Sequence, residues 1–262
     1  MTDLIAAEWI KIRSLRSTFW TLGLTTLFVV GAAAVAAKAD YANFPSYDQV
    51  QQRTHGFSLS DAFPLVAFMT VMLVAAGMGA VAMVSEYSSG LIRTTTVAVP
   101  ARGSVLLAKA IVVAALWTVA GAVMSILSFV VSQAILAGRD ADVSITDPGA
   151  FPALLGATLV GPVCALIGLG LGVLIRHSAT TMVTGVVLLL MLPSLFTTRR
   201  QWSTEVNHAM VLSAWQRLTQ TYGPPQSVGS LYASFAGSWI VYALWPSAAL
   251  ILALVVIRRR DV

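Results

Sequence analysis

Residues 63–84 read FPLVAFMTVMLVAAGMGAVAMV, residues 85–109 read SEYSSGLIRTTTVAVPARGSVLLAK, and residues 110–137 read AIVVAALWTVAGAVMSILSFVVSQAILA. A polar, basic segment is thus held between two apolar runs. Each run is long enough to cross a bilayer core about 30 Å thick, which takes roughly 20 helical residues. Lipid offers no partners to backbone N–H and C=O groups, so both runs are expected as helices. A compact polar loop anchored at both ends in a membrane is a handle for something outside the bilayer to pull.

Outward from this stretch, four further runs qualify: Phe19 to Ala37, Phe151 to Ile175, Ser178 to Thr198, and Trp239 to Ile257. With Phe63 to Val84 and Ala110 to Ala137 they make six. The third run is long enough to tilt or extend past one interface. Pro193 near the outer end of the fifth allows a kink, because neighbouring helices can satisfy the freed carbonyl. The composition agrees: 57% of the 262 residues are hydrophobic and only 10% charged, at a mean hydropathy of +0.81. Soluble chains carry about 25% charged residues. The fold class is therefore all-α integral membrane, a single transmembrane domain over residues 1–262 with no nucleotide-binding domain.

The net charge of +5 would suggest nucleic acid in a soluble chain, but the distribution of basic residues explains it here without one. With the N-terminus in the cytoplasm, the inner segments hold Lys11, Arg13, Arg16, Arg93, Arg102, Lys109, Arg176, Arg258, Arg259 and Arg260, ten of the sixteen. The outer segments take seven of the eleven acids. Both termini are therefore expected inside. The basic N-terminal region, apolar run and AAAVAAKA also resemble a cleavable signal peptide. The 19-residue run, and the odd count of spans that removal would leave, favour a retained first helix.

None of the six runs contains Asp, Glu, Lys or Arg. Proton- or ion-coupled transport needs ionisable groups at membrane depth, so an antiporter is disfavoured. No GxxxxGK[ST] phosphate cradle is present, the nearest lookalike being GPPQSVGS at 223–230 without a lysine. No catalytic residue is expected, and work must be driven by another subunit. Cys164 stands alone, and His55, His177 and His208 are scattered, so neither a disulfide nor a metal site is expected. The spans do carry small and hydroxyl residues in stripes: Thr118, Gly121, Ser125, Ser128 and Ser132 in the third, Gly161, Cys164, Gly168 and Gly172 in the fourth. Such faces let helices approach closely. They could also form a weakly polar wall for an amphipathic substrate, so Thr118, Ser125, Ser128, Ser132, Gly168 and Gly172 are candidates for a pathway or a helix interface.

Within the loop, Glu86 to about Thr96 can form a short helix near the membrane surface, with Tyr87 and Leu91 on one face and Glu86 and Arg93 free to meet water or protein. Pro100 stops that helix and suits the first turn of the next. Arg102 and Lys109 then share a side and can snorkel to phosphates. At the N-terminus, Leu4, Ile5, Ile12, Leu15 and Phe19 gather on one arc flanked by Lys11 and Arg13, with Glu8 and Arg16 intruding, as in an imperfect interfacial helix. Lys11, Arg13, Arg16, Arg102 and Lys109 are the expected membrane-surface anchors. Between the last two spans, Val206, Met210, Ala214 and Leu218 make a four-residue stripe over Thr204 to Gln220. Trp202 and Trp215 suit an interface there, and Gly223-Pro224-Pro225 ends the helix.

The sequence SEYSSGxIR, followed by VPxR and a lysine seven residues on, resembles the inner loop of bacterial ATP-binding-cassette type-2 transporter permeases. The resemblance extends to AEWIKIRSLRSTFWTL before the first span and RRRDV after the last, with six spans in the expected order. The common form of the loop has Gly where this chain has Ser85. The resemblance implies the membrane half of an exporter in the bacterial inner membrane. Two permease copies, identical or different, would pair with a dimer of separate ATPase subunits that bind ATP and Mg. Glu86, Tyr87, Ser88, Ser89, Gly90 and Arg93 would form the coupling helix docked on the ATPase, and short outer helices would cap an exit path. The charge-free interior favours apolar or amphipathic cargo such as a drug, antibiotic, peptide or lipid. The alternative is a non-transporting anchor or sensor that docks a cytoplasmic partner through the same loop.

Overall fold

The computed structural model describes residues 1–49, 52, 57–88, 102–196, 201–219 and 234–259. Among them the chain is helical, with no strand. Helix α1 (Thr2–Ser14) leads into α2 (Arg16–Asn43), and α3 (Ser58–Ala62) precedes α4 (Leu65–Ser88). Then follow α5 (Arg102–Leu136), α6 (Ala150–Ile175) and α7 (Ser178–Leu195). Two short helices, α8 (Gln201–His208) and α9 (Val211–Leu218), precede α10 (Phe235–Arg259). Among the described residues, six segments, centred on α2, α4, α5, α6, α7 and α10, are long and apolar enough to cross a membrane. They match the six expected runs. The ends lie further out than the apolar stretches, since α4 continues through Glu86 to Ser88 and α5 begins at Arg102.

The core is built around α6, which packs on α4, α5 and α10, while α2 leans mainly on α5 and α7 on α4 and α6. Small residues make this possible. A Cβ built on Gly79 or Gly168 would come within 1.9 Å of the carbonyl oxygen of Ala165 or Ala76, so α4 and α6 meet backbone to backbone. Gly121 similarly lets α5 approach Thr158, where a Cβ would stand 2.3 Å from its oxygen. Close approach of this kind maximises dispersion contact where the surrounding lipid supplies no hydrophobic drive.

The start of α1 and the end of α10 reach the same face of the bundle, the near face. Glu8 of α1 meets Lys109 of α5 there, and a Cβ on Gly103 would lie 3.4 Å from Leu254 of α10. Opposite is the far face, where α8 and α9 cover the ends of the spans. The expected single helix over Thr204 to Gln220 is broken, because Met210 is extended (φ −88°, ψ 145°) and the Ala209 carbonyl accepts instead from the Trp245 indole at 2.7 Å. Trp215, expected at an interface, is fully buried and stacked on Phe68 with ring centroids 5.3 Å apart. Trp202 does stay exposed. Asn207 donates to the carbonyls of Pro193 (2.8 Å) and Phe196 (3.0 Å), fastening α8 to the end of the fifth span. Before Pro193, residues Val187–Met191 widen into a π turn, one of the identifiable causes of a bend.

Candidate functional site at the root of the polar loop

The N-terminal arc does not run unbroken into the first span. Leu15 is extended (φ −85°, ψ 108°), so Arg16 and Phe19 belong to a second helix with its own direction. The Ser14 hydroxyl donates to the Lys11 carbonyl at 2.8 Å, a local bond that competes with helix continuation. This break folds α1 back onto the near-face ends of α4 and α5. Glu8, which spoiled the apolar arc, then points into the protein and is 4% exposed.

Four charges meet there. Lys109 Nζ donates to Glu8 Oε2 at 2.5 Å and to Glu86 Oε1 at 2.9 Å. Lys11 Nζ donates to Glu8 Oε1 at 2.7 Å and to the same Glu86 oxygen at 2.9 Å. Glu8, Glu86 and Lys109 are buried, while Lys11 is half exposed. Two acids and two bases thus form a closed neutral ring that joins α1, α4 and α5. Burial disfavours the charged forms of Glu8 and Lys11, yet their bonds and proximity to opposite charges prevail. Glu8 is held below the usual 4.5 and Lys11 above the usual 10.5.

Two expectations change as a result. Glu86 is not free to meet water or a partner, and Lys109 does not snorkel to phosphates, because each is the other's buried counter-ion. Tyr87 is also engaged, its ring lying 4.7 Å beneath the Arg176 guanidinium. Arg176 caps α6 in the left-handed region (φ 61°). The last turn of α4 is therefore held by α1, α5 and α6 together. Ser88 ends α4 and donates to the Ser85 carbonyl. Ser89, Gly90, Arg93 and Pro100 lie outside the described residues, as do the side chain of Arg102 and all of Arg260. Arg13 and Arg16 are exposed on the near face.

The striped residues lie at helix contacts. Ser125, Ser128 and Ser132 are wholly buried. Ser128 and Ser132 donate to the Ser125 and Phe129 carbonyls of their own helix, and Thr118 to Ala114. Gly168 and Gly172 face Ala76 and Ala80 of α4. Among the described residues, Gly168 borders a small cavity of about 120 Å³ between α4, α6 and α7, and the serines line none.

Beside the charged ring lies a cavity of about 450 Å³ between α2, α4 and α5. Its charged end is Glu8, Lys11, Glu86 and Lys109, and its deep end is apolar and closed by Trp117. Sequence reasoning missed Glu8, Arg176 and Trp117 as members of this region. Only Glu8 left a signal, as an acid on the apolar side of an amphipathic helix. Compared with models of known protein families and with curated proteins, the chain matches none.

Proposed function

We propose that this chain is the membrane-spanning permease subunit of an ATP-driven exporter, moving an apolar or amphipathic substrate. A separate ATPase pair would bind ATP and Mg and push on the loop that begins at Ser89. The near face would be cytoplasmic, in a bacterial inner membrane, by the excess of basic residues on that side. One observation carries the reading beyond the loop's resemblance: the Glu8, Lys11, Glu86 and Lys109 ring, with Tyr87 under Arg176, sits where the loop leaves α4. A force on the loop would reach α1, α4, α5 and α6 as one body. Two chains would then rock between inward- and outward-open populations, driven by differential binding of nucleotide to the two states.

A second reading, a non-transporting anchor or sensor, is favoured by the burial of Ser125, Ser128 and Ser132, which leaves these hydroxyls lining no path among the described residues. Arg93→Glu separates the cases, since it changes the expected coupling segment and leaves the four residues of the ring unaltered. Under the permease reading it abolishes both co-purification of the ATPase and nucleotide-dependent flux from vesicles, at unchanged yield. Retention of both would overturn the coupling role. Co-purification lost, with no flux even in the unaltered complex, would leave the anchor.

A further inference from the structure

Neither the loop nor the helix packing accounts for the cavity beside the charged ring. It runs along α4 from Glu86 to Val74, roughly 18 Å at 1.5 Å per residue. Its volume of about 450 Å³ is within the range of small-molecule sites. Leu15 and Val81 border it and are both about half exposed (56% and 49%), so it opens sideways on the apolar flank of the bundle rather than toward water.

Two hydroxyls on its wall lack side-chain partners. Thr18, itself buried, and Thr21 make no side-chain hydrogen bond, whereas Thr25 and Thr26 on the same helix donate to the carbonyls four residues back. Hydroxyls without protein partners on a cavity wall are where polar atoms of another molecule fit. The charged ring is neutral in itself, and the nearest further charges in the chain are Arg13 and Arg16, both exposed and next to the lining residues Ile12, Leu15 and Ser17. The mouth is therefore cationic, the slot apolar, and its wall supplied with donors at intermediate depth.

We infer that this cavity holds one acyl chain of an anionic phospholipid from the surrounding bilayer. The headgroup phosphate lies against Arg13, Arg16 and the exposed side of Lys11. The acyl ester oxygens accept from the threonine hydroxyls. The chain runs past Met78 toward Val74 and Trp117. The inference needs only that α2, α4 and α5 lie in lipid, and stands whether the chain transports or anchors.

The test is native mass spectrometry of the full chain after delipidation, titrated with phosphatidylglycerol or phosphatidylcholine of identical acyl chains. One phosphatidylglycerol is expected to be retained, with a preference of roughly tenfold or more, the scale set by two cations beside an anionic headgroup. Arg13→Gln with Arg16→Gln erases the preference, and Ala82→Phe, which fills the slot, removes the retained lipid. Equal retention of the two lipids by the unaltered chain, or full retention in the filled variant, overturns the proposal. Should the filled variant fail to fold, phosphatidylglycerol with brominated acyl chains decides. The emission lost in Trp117→Phe is quenched in the unaltered protein if the chain enters the slot, and an unquenched difference refutes it.

Discussion

At the scale of single residues, the burial of Lys109 between two carboxylates has the sharpest energetic consequence. Desolvating a charge costs several kcal/mol, and only its partners offset that. Lys109→Met leaves Glu8 and Glu86 buried with half their counter-charge. A loss of about 3–5 kcal/mol is expected, read as a lowered unfolding midpoint in detergent. Adding Glu8→Gln and Glu86→Gln recovers most of it, since the cost lies in unpaired charge rather than in lost attraction. The ring also makes the docking of α1 depend on pH. Glu8 is depressed when folded, so its contribution is present above about pH 4.5 and is lost as pH falls through the folded value. Lys11 is raised, so its contribution holds below about pH 10.5 and is lost as pH climbs through the folded value. Hydrogen exchange of the α1 amides, corrected for the intrinsic rate at each pH, should therefore quicken as pH falls below about 4.5, and Glu8→Gln should flatten that dependence. Glu8 was visible in the sequence as a flaw in an apolar arc. Its partner was not, because Lys109 lies 101 residues away along the chain.

At the scale of elements, the glycines at the α4–α6 crossing divide sharply from those elsewhere. Gly168→Val would drive carbon into the Ala76 carbonyl, and neither backbone can give way without parting the helices. Overpacking of this sort costs on the order of 1–3 kcal/mol or more. Gly31→Ala meets nothing within 4 Å and should leave the midpoint unchanged or raise it by about 0.5–1 kcal/mol of stability. A thermal scan of the two variants side by side checks both. The spans themselves were legible because lipid forces an uninterrupted apolar run wherever a helix crosses. The breaks were less so. Neither Leu15 nor the Ala209–Met210 step carries a glycine or proline. The second break is set by Trp245, which takes the Ala209 carbonyl from another helix altogether. The burial of Trp215 was hidden for the same reason: residue type gave amphipathic reach, and only the contact with Phe68 decides inside from interface.

At the scale of the whole molecule, the exposed apolar surface of α2 is what a lipid-facing span presents, with Trp20 and Leu27 each about seventy percent exposed. Leu27→Lys should lower membrane insertion by about 2.5–3.5 kcal/mol, whereas Ile10→Lys on α1, outside the spans, should cost little. A glycosylation-tag insertion assay on both reads the difference. The central place of α6 has a further consequence, for the order in which the chain is made. Its main partners are α4, α5 and α10, and α4 and α5 scarcely touch each other without it. While the ribosome has delivered only the first three spans, the notches at Gly79 and Gly121 have nothing to receive. Assembly is thus deferred until the fourth span emerges. A nascent chain stalled before residue 150 would sit in the bilayer as loosely associated helices, open to capture by an insertase or a membrane protease.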